Sequence, residues 1–242
     1  MRILIIRHAD PDYEHDSLTQ KGWKEARLLA ERLEKIPVDA VYCSTMGRAI
    51  DTASFTLAEK GLAAEYFDWL REFPPLINRP DVKDRKKIAW DWLPEDWTGI
   101  PEHFQPDTWF DTDIMREGSV GETYLHVVSE FDRILAKHGY VRDGLIYRAE
   151  RSNRETIAFF CHFGLECVLL SHLMNVSPMI LWHHTCAAPS SVTSLYTEER
   201  RRGTASFRMN YYGDISHLTA AGEEPSFQAR FCETWDSDER HD

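Results

Sequence analysis

Two short apolar runs, Ile3-Leu4-Ile5-Ile6 and Ala158-Phe159-Phe160-Cys161, each run out into a histidine, as Arg7-His8 after the first and His162 after the second. An uninterrupted apolar strand of this length is buried on both faces, which calls for helices on either side of a parallel sheet. In open sheets of that kind ligands bind beyond the carboxyl ends of the strands. Both histidines are therefore expected at a binding crevice.

The rest of the chain alternates in the same manner. A helix is expected from Lys21 to Lys35, with Trp23, Ala26, Leu29, Ala30 and Leu33 on one face and Thr19 as its N-cap. A strand follows around Ala40 to Cys43, then a helix from Gly47 to Lys60 and a strand near Ala64 to Phe67. A long helix is expected from Thr123 to His138, a strand from Thr156 to Cys161 and a helix from Leu165 to Met174. Two terminal strands, Val192 to Thr197 and Ala205 to Tyr212, flank Arg200-Arg201-Arg202-Gly203, which reads as a charged hairpin turn. The fold class expected is α/β, a mostly parallel central sheet flanked by helices on both faces.

Residues 73–120 break the rhythm, with six of the eleven prolines and Trp90, Trp92, Trp97 and Trp109 among the eight tryptophans. This segment reads as an inserted lid over the strand C-terminal ends, its tryptophans forming a small core of their own. Domain organisation is thus a single α/β domain over 1–218, lid included, and an acidic C-terminal tail over 219–242 with seven acids against two arginines. The basic cluster Arg79, Lys83, Arg85, Lys86 and Lys87 is interleaved with Asp81 and Asp84 and reads as a solvated face.

A net charge of −12 disfavours nucleic acid and acidic membranes as partners, so an anionic ligand needs a concentrated cationic pocket. The first apolar run is too short for a signal peptide or a membrane span. Five cysteines without paired metal-type spacing suit reduced thiols, which places the chain in the cytoplasm as an expectation. His183-His184, with His172, Cys186 and Cys167 nearby, lacks a helical His pair or a Cys-x-x-Cys pair, so no metal site is expected there.

The chemistry these residues suit is phosphate-ester cleavage, which needs an in-line nucleophile, cations around the equatorial oxygens and an acid for the leaving alkoxide. His8 can attack as neutral imidazole, and Arg7 beside it supplies a forked charge. Arg48, opening the second helix, adds a guanidinium and helix N-terminal amides, and His162 adds a further donor.

In order along the chain, Arg7-His8-Ala9, Leu18-Thr19-x-x-Gly22-x-x-Glu25-Ala26, Ser44-x-Met46-x-Arg48-Ala49-x-x-Thr52-Ala53, Gly121-Glu122-Thr123, Cys161-His162-Phe163-Gly164 and Ser216-His217-Leu218 form one set. This set resembles the motifs of the histidine phosphatase superfamily, which includes the cofactor-dependent phosphoglycerate mutases. The resemblance spans residues 1–72 and 119–218. It implies a phosphohistidine at His8, phosphoryl oxygens held by Arg7, Arg48 and His162, hydrolysis by water, a small phosphorylated substrate, and neither metal nor cofactor. The general acid it implies is Glu72 of Leu70-Arg71-Glu72, with Glu122 as the rival at the pocket mouth. Glu122 could equally stabilise the start of its helix.

Where the family has glycine this chain has Ala9 and Phe163, which narrow the space beside both histidines. Where the mutases carry an asparagine six residues after the nucleophile, Glu14 stands beside His15 and Asp16. A repelling carboxylate there favours hydrolysis over return of the phosphate to a substrate. The alternatives are a phosphoglycerate-type phosphomutase and a phosphate-ligand binding protein of low activity. The substrate's identity and the oligomeric state are not legible.

Overall fold

The computed structural model describes residues 1–226, residue 228 and residues 234–236. In chain order its main elements are β1 (Arg2–Arg7), α1 (Gln20–Glu34), β2 (Ala40–Ser44), α2 (Gly47–Lys60) and β3 (Ala64–Phe67). After the insertion come α3 (Val120–Lys137), β4 (Tyr140–Asp143), β5 (Ile146–Ala149), β6 (Thr156–Cys161), α4 (Phe163–Met174), α5 (Pro178–His184), β7 (Val192–Arg201) and β8 (Thr204–Asp214).

Eight strands form one sheet in the order β3-β2-β6-β1-β7-β8-β5-β4. The first four run parallel, with Arg2 to Arg7 in register against Thr156 to Cys161. Beyond β1 the ladders are antiparallel. Two of the eight strands, β7 and β5, point against the rest, so the sheet is mostly parallel in direction, as expected.

Alternation along the buried strands explains the two helical layers. Leu4, Ile6, Val41, Cys43, Ala158 and Phe160 face Leu29, Leu33, Ala49 and Ala53 of α1 and α2. Ile3, Ile5, Tyr42, Ile157 and Phe159 face the other way, onto α3 and α4, with Phe131 edge-on to Phe159 at 5.4 Å. Since both faces are covered, both parities must be apolar, which is why β1 and β6 read as continuous runs. From Phe163 to Ser171 every residue of α4 is buried, so its sequence is apolar on all sides.

Thr19 caps α1 as expected, its hydroxyl accepting from Gly22 N at 3.1 Å. The terminal hairpin is longer than expected: Arg200 and Arg201 belong to β7, and the turn is Arg202-Gly203. Two elements had no counterpart in the sequence reading, the β4/β5 hairpin and α5, although Ser177-Pro178 carries the latter's cap, Ser177 Oγ accepting from Met179 N at 3.2 Å.

The insertion contains a small hairpin, Leu76–Ile77 with Lys87–Ile88, and short helical turns at Pro94–Thr98 and Asp113–Glu117. Its tryptophans do not enclose a separate core. Trp92, Trp97 and Trp109 join the main cluster, Trp109 against Trp182 and Tyr124 at 5.4 and 5.3 Å, and Trp97 stacked on His183 at 4.7 Å. His183 Nδ1 donates within α5 to Met179 O at 2.6 Å, which leaves Nε2 to accept from Trp92 N at 2.9 Å and pin the insertion to α5.

Half of the acidic segment after residue 218 lies outside the described residues. Its beginning is seated on α1: Lys21 Nζ donates to Glu224 O at 2.6 Å, Lys24 pairs with Glu223, and Ser226 Oγ bonds Asp10. Among the described residues no helix is long and apolar enough to cross a membrane.

Candidate active site

At the carboxyl end of β1 the backbone is clamped from both sides, His8 N donating to Cys161 O at 2.9 Å and Ser190 N to His8 O at 3.0 Å. The Ser190 loop is itself tied to His217, whose Nε2 lies 3.0 Å from Ser190 Oγ. This gives the Ser216-His217-Leu218 motif a place behind the crevice. His8 Nδ1 is 2.8 Å from the carbonyl of Ala9. A carbonyl can only accept, so Nδ1 carries the hydrogen and Nε2 holds the lone pair. Burial first, then the charges of Arg7 and Arg48, push the His8 pKa well below its ordinary value, so the ring is neutral at neutral pH.

Arg7 donates from Nη1 to Ala187 O at 2.5 Å, and its guanidinium lies 5.6 Å above the Phe163 ring. Phe163, one of the two departures from glycine, is thus a platform for Arg7. The other, Ala9, turns its methyl into a small cluster with Leu18 and Ala26, and its N–H donates to Thr52 Oγ1 at 2.9 Å. Thr52 in turn donates to Arg48 O at 2.7 Å, which ties β1 to α2.

Arg48 opens α2 and is held by Asp16, whose Oδ1 accepts from Arg48 Nη1 at 2.6 Å while Oδ2 accepts from Gly47 N at 2.8 Å. Asp16 therefore supplies the N-terminal cap that Met46 cannot. The approach is so close that a Cβ on Gly47 would sit 2.0 Å from Asp16 O, so only glycine fits. The acid of this loop that reaches the site is Asp16 rather than Glu14, which is exposed.

His162 is fully buried, its ring 5.1 Å from that of His8, and its Nε2 is 2.9 Å from Ser44 Oγ. Ser44 Oγ also accepts from Met46 N at 3.2 Å and keeps its hydrogen and a second lone pair; in the tautomer where that hydrogen goes to Nε2, the ring proton is on Nδ1. Burial, then the charges of His8, Arg48 and Arg7, keep this ring neutral as well. Around His8, the nitrogens Arg7 Nε, Arg48 Nε and His162 Nδ1 are buried and have no hydrogen-bond partner. Three such nitrogens suit an oxyanion, because a polar group out of water is stabilised only when paired.

Glu72 belongs to this group. Its Oε1 accepts from Phe73 N at 2.9 Å and from Leu165 N, in the first turn of α4, at 3.1 Å. Burial raises its pKa, against the lowering pull of the Phe73 amide, of Arg7 and Arg48, and of the Gly164 amide. Glu122 is not brought to this cluster by any contact among the described residues; it is exposed in the first turn of α3. Ser44, Thr52 and Asp16 were not singled out from sequence, although the first two stand in the second arginine motif. Spacing shows that such residues recur, not which hydroxyl meets which ring.

A neutral, oriented histidine at a strand end, two arginines and a buried carboxyl define an α/β enzyme of the phosphatase class. Residues 3–210 match the family model of the histidine phosphatase superfamily, branch 1, and the chain belongs to that family. A probable phosphatase of Schizosaccharomyces pombe is 22% identical over 235 residues, covering 90% of this chain and 95% of the relative. Among solved structures, a phosphoserine phosphatase of Entamoeba histolytica in complex with phosphoserine superposes with a TM-score of 0.56 at 13% identity, over 90% of this chain and 98% of the other. A mycobacterial glucosyl-3-phosphoglycerate phosphatase gives 0.54 at 18% identity, over 87% and 98%. At these identities the two structures share the fold.

Proposed function

We propose that the chain is a phosphomonoesterase acting on a small phosphorylated metabolite through a phosphohistidine at His8. The observation that carries this reading is the neutral His8, its Nε2 lone pair freed by the Ala9 carbonyl, among three buried nitrogens without partners. In the first step Nε2 attacks phosphorus, the ester P–O bond breaks, and the Glu72 proton passes to the leaving oxygen. Arg7, Arg48 and His162 hold the non-bridging oxygens throughout. In the second, water gives a proton to the Glu72 carboxylate and its oxygen attacks phosphorus. The P–N bond breaks, releasing inorganic phosphate and restoring both groups.

The two arginines supply the positive charge that such a transfer needs, so the reading requires no metal. Small phosphorylated substrates are named for the solved structures of like fold, phosphoserine and glucosyl-3-phosphoglycerate among them. A cytoplasmic setting belongs to the proposal and is supported by the buried thiols Cys43, Cys161 and Cys167, none of them in a disulfide.

The test is hydrolysis of a panel of phosphorylated metabolites with excess chelator, alongside His8→Ala. Turnover is expected to fall by about a thousandfold or more in the variant, which should keep its fold. An acid-labile phosphoprotein should be trapped from the wild type alone. Undiminished activity in His8→Ala would refute the covalent mechanism.

A further inference from the structure

The insertion sends one side chain into the catalytic group. Whereas Trp92, Trp97 and Trp109 are buried in the core, Trp90 is half-buried, and its indole Nε1 is a buried donor without a hydrogen-bond partner. Gly164, two residues after His162, locates it. A Cβ added there would lie 2.7 Å from Glu72 Oε1 and 2.8 Å from Trp90 Nε1, so the two polar ends border one small volume. The Trp90 ring stands edge-on to Phe163 at 5.8 Å, and Phe163 is the platform beneath Arg7.

Trp90 is also held in place from behind. Arg79 Nη1 donates to Trp90 O at 2.9 Å, and Arg79 is itself buried in an ion pair with Asp81. Trp69 and Trp109 too have indole N–H groups without a partner. What sets Trp90 apart is a donor placed beside the carboxyl of the proposed general acid.

We propose that Trp90 is a substrate-binding residue of the active site, its indole N–H donating to the phosphate oxygen on the Glu72 side, the one that carries the leaving group. This inference rests on the phosphatase reading above. A donor there strengthens its bond as negative charge develops on the departing oxygen, while Glu72 delivers the proton to the same atom. No atom moves that the two-step scheme does not already move. The consequence for the fold is that the insertion is part of the site rather than only its cover, since Trp90 is available only when the hairpin base sits against α4.

The test uses inorganic phosphate, whose fourth oxygen stands in for the ester oxygen. In a proton–nitrogen correlation spectrum of the whole chain, the indole signal missing from Trp90→Phe identifies Trp90. On adding phosphate that signal is expected to move downfield, together with signals of His8 and of Arg7 Nε. Trp90→Phe should keep the other indole signals and lose about tenfold in kcat/KM, as for one hydrogen bond to a charged oxygen. The loss should be larger for alkyl phosphates than for p-nitrophenyl phosphate. A Trp90 signal that stays put while those of His8 and Arg7 move, or a Trp90→Phe variant of full kcat/KM, overturns the assignment. If His8 is silent as well, the phosphate-site reading itself fails and takes this inference with it.

Discussion

His8 Nδ1 lies 2.8 Å from the carbonyl oxygen of Ala9, the very next residue, so the backbone that carries the ring also selects its tautomer. Burial and the charges of Arg7 and Arg48 hold the His8 pKa well below the ordinary histidine value. In the proposed mechanism the neutral form is the nucleophile, and a depressed pKa preserves it as pH falls. In the free enzyme the His8 ring signals are therefore expected not to titrate between about pH 7 and pH 5.5, where an ordinary histidine would. Magnetic resonance of the imidazole nitrogens checks this, and a midpoint near 6.5 would contradict the buried electrostatics.

As the proposed general acid, Glu72 carries the opposite requirement, because an acid must keep its proton. Its pKa is raised, chiefly by burial, so the protonated fraction extends above the usual carboxylate range and is lost as pH rises through the raised value. The alkaline limb of kcat/KM should report this loss. Glu72→Gln should remove that limb and lower the rate on alkyl phosphates by about 10²–10⁴-fold, with a smaller drop on p-nitrophenyl phosphate, whose leaving group needs no proton. An unchanged profile in the variant would assign the acid elsewhere.

Gly164→Ala should damage turnover more than stability. The added methyl would press on Glu72 Oε1 and Trp90 Nε1 at 2.7 and 2.8 Å, and Glu72 cannot swing aside without leaving the amides of Phe73 and Leu165. A fall in kcat of about tenfold or more is expected, since a misplacement of this size is costly at a reacting centre. Steady-state kinetics beside a thermal melt will separate the two effects.

Ser44→Ala removes the hydroxyl 2.9 Å from His162 Nε2 and leaves a buried ring without its orienting partner. Orphaning such a group costs about 1–3 kcal/mol of stability, and a His162 ring no longer held in place should lower kcat/KM by about tenfold. Ser44→Thr, which keeps a hydroxyl, should recover part of it. Equal activity in Ser44→Ala would show that the serine does not hold the His162 ring in place.

Stability should depend on pH through Glu25, buried in α1 with its pKa pushed up to about 7, mainly by desolvation. A raised folded-state pKa means that the folded chain holds the proton better than the unfolded one. The resulting stability is complete below the ordinary value of 4.5 and is lost as pH rises through 7. Glu25→Gln keeps an acceptor for Asp10 N, now at 2.8 Å from Oε2, and lacks the titration. Denaturant unfolding at pH 5 and pH 8 should show a wild-type loss larger than that of the variant by roughly 3 kcal/mol. Parallel behaviour of the two chains would remove Glu25 as the cause.

The framework was legible because its physical causes are local. Runs such as Ile3 to Ile6 and Thr156 to Cys161 are apolar on both parities only when helices cover both faces, and α1 and α2 show their buried stripes and ends directly. The β4/β5 hairpin is not legible because its residues alternate weakly, nor α5 because it is short. The insertion was recognised as an interruption, but not as part of the main core. Tryptophans at irregular spacing show that burial is needed and do not show against what.

Sequence by itself determined that Arg7, His8 and His162 stand at the ends of buried strands and Arg48 at the start of a helix, because the apolar runs and the helical stripe mark those ends directly. Tertiary structure alone decided how those groups are tuned. The Ala9 carbonyl chooses the His8 tautomer, Ser44 meets the His162 ring, Asp16 crosses between segments to hold Arg48, and Gly164 brings Glu72 and Trp90 to one spot. Tuning depends on hydrogen bonds and desolvation between residues far apart in the chain. Those interactions exist only once the strands are laid side by side, so no local pattern of residues records them.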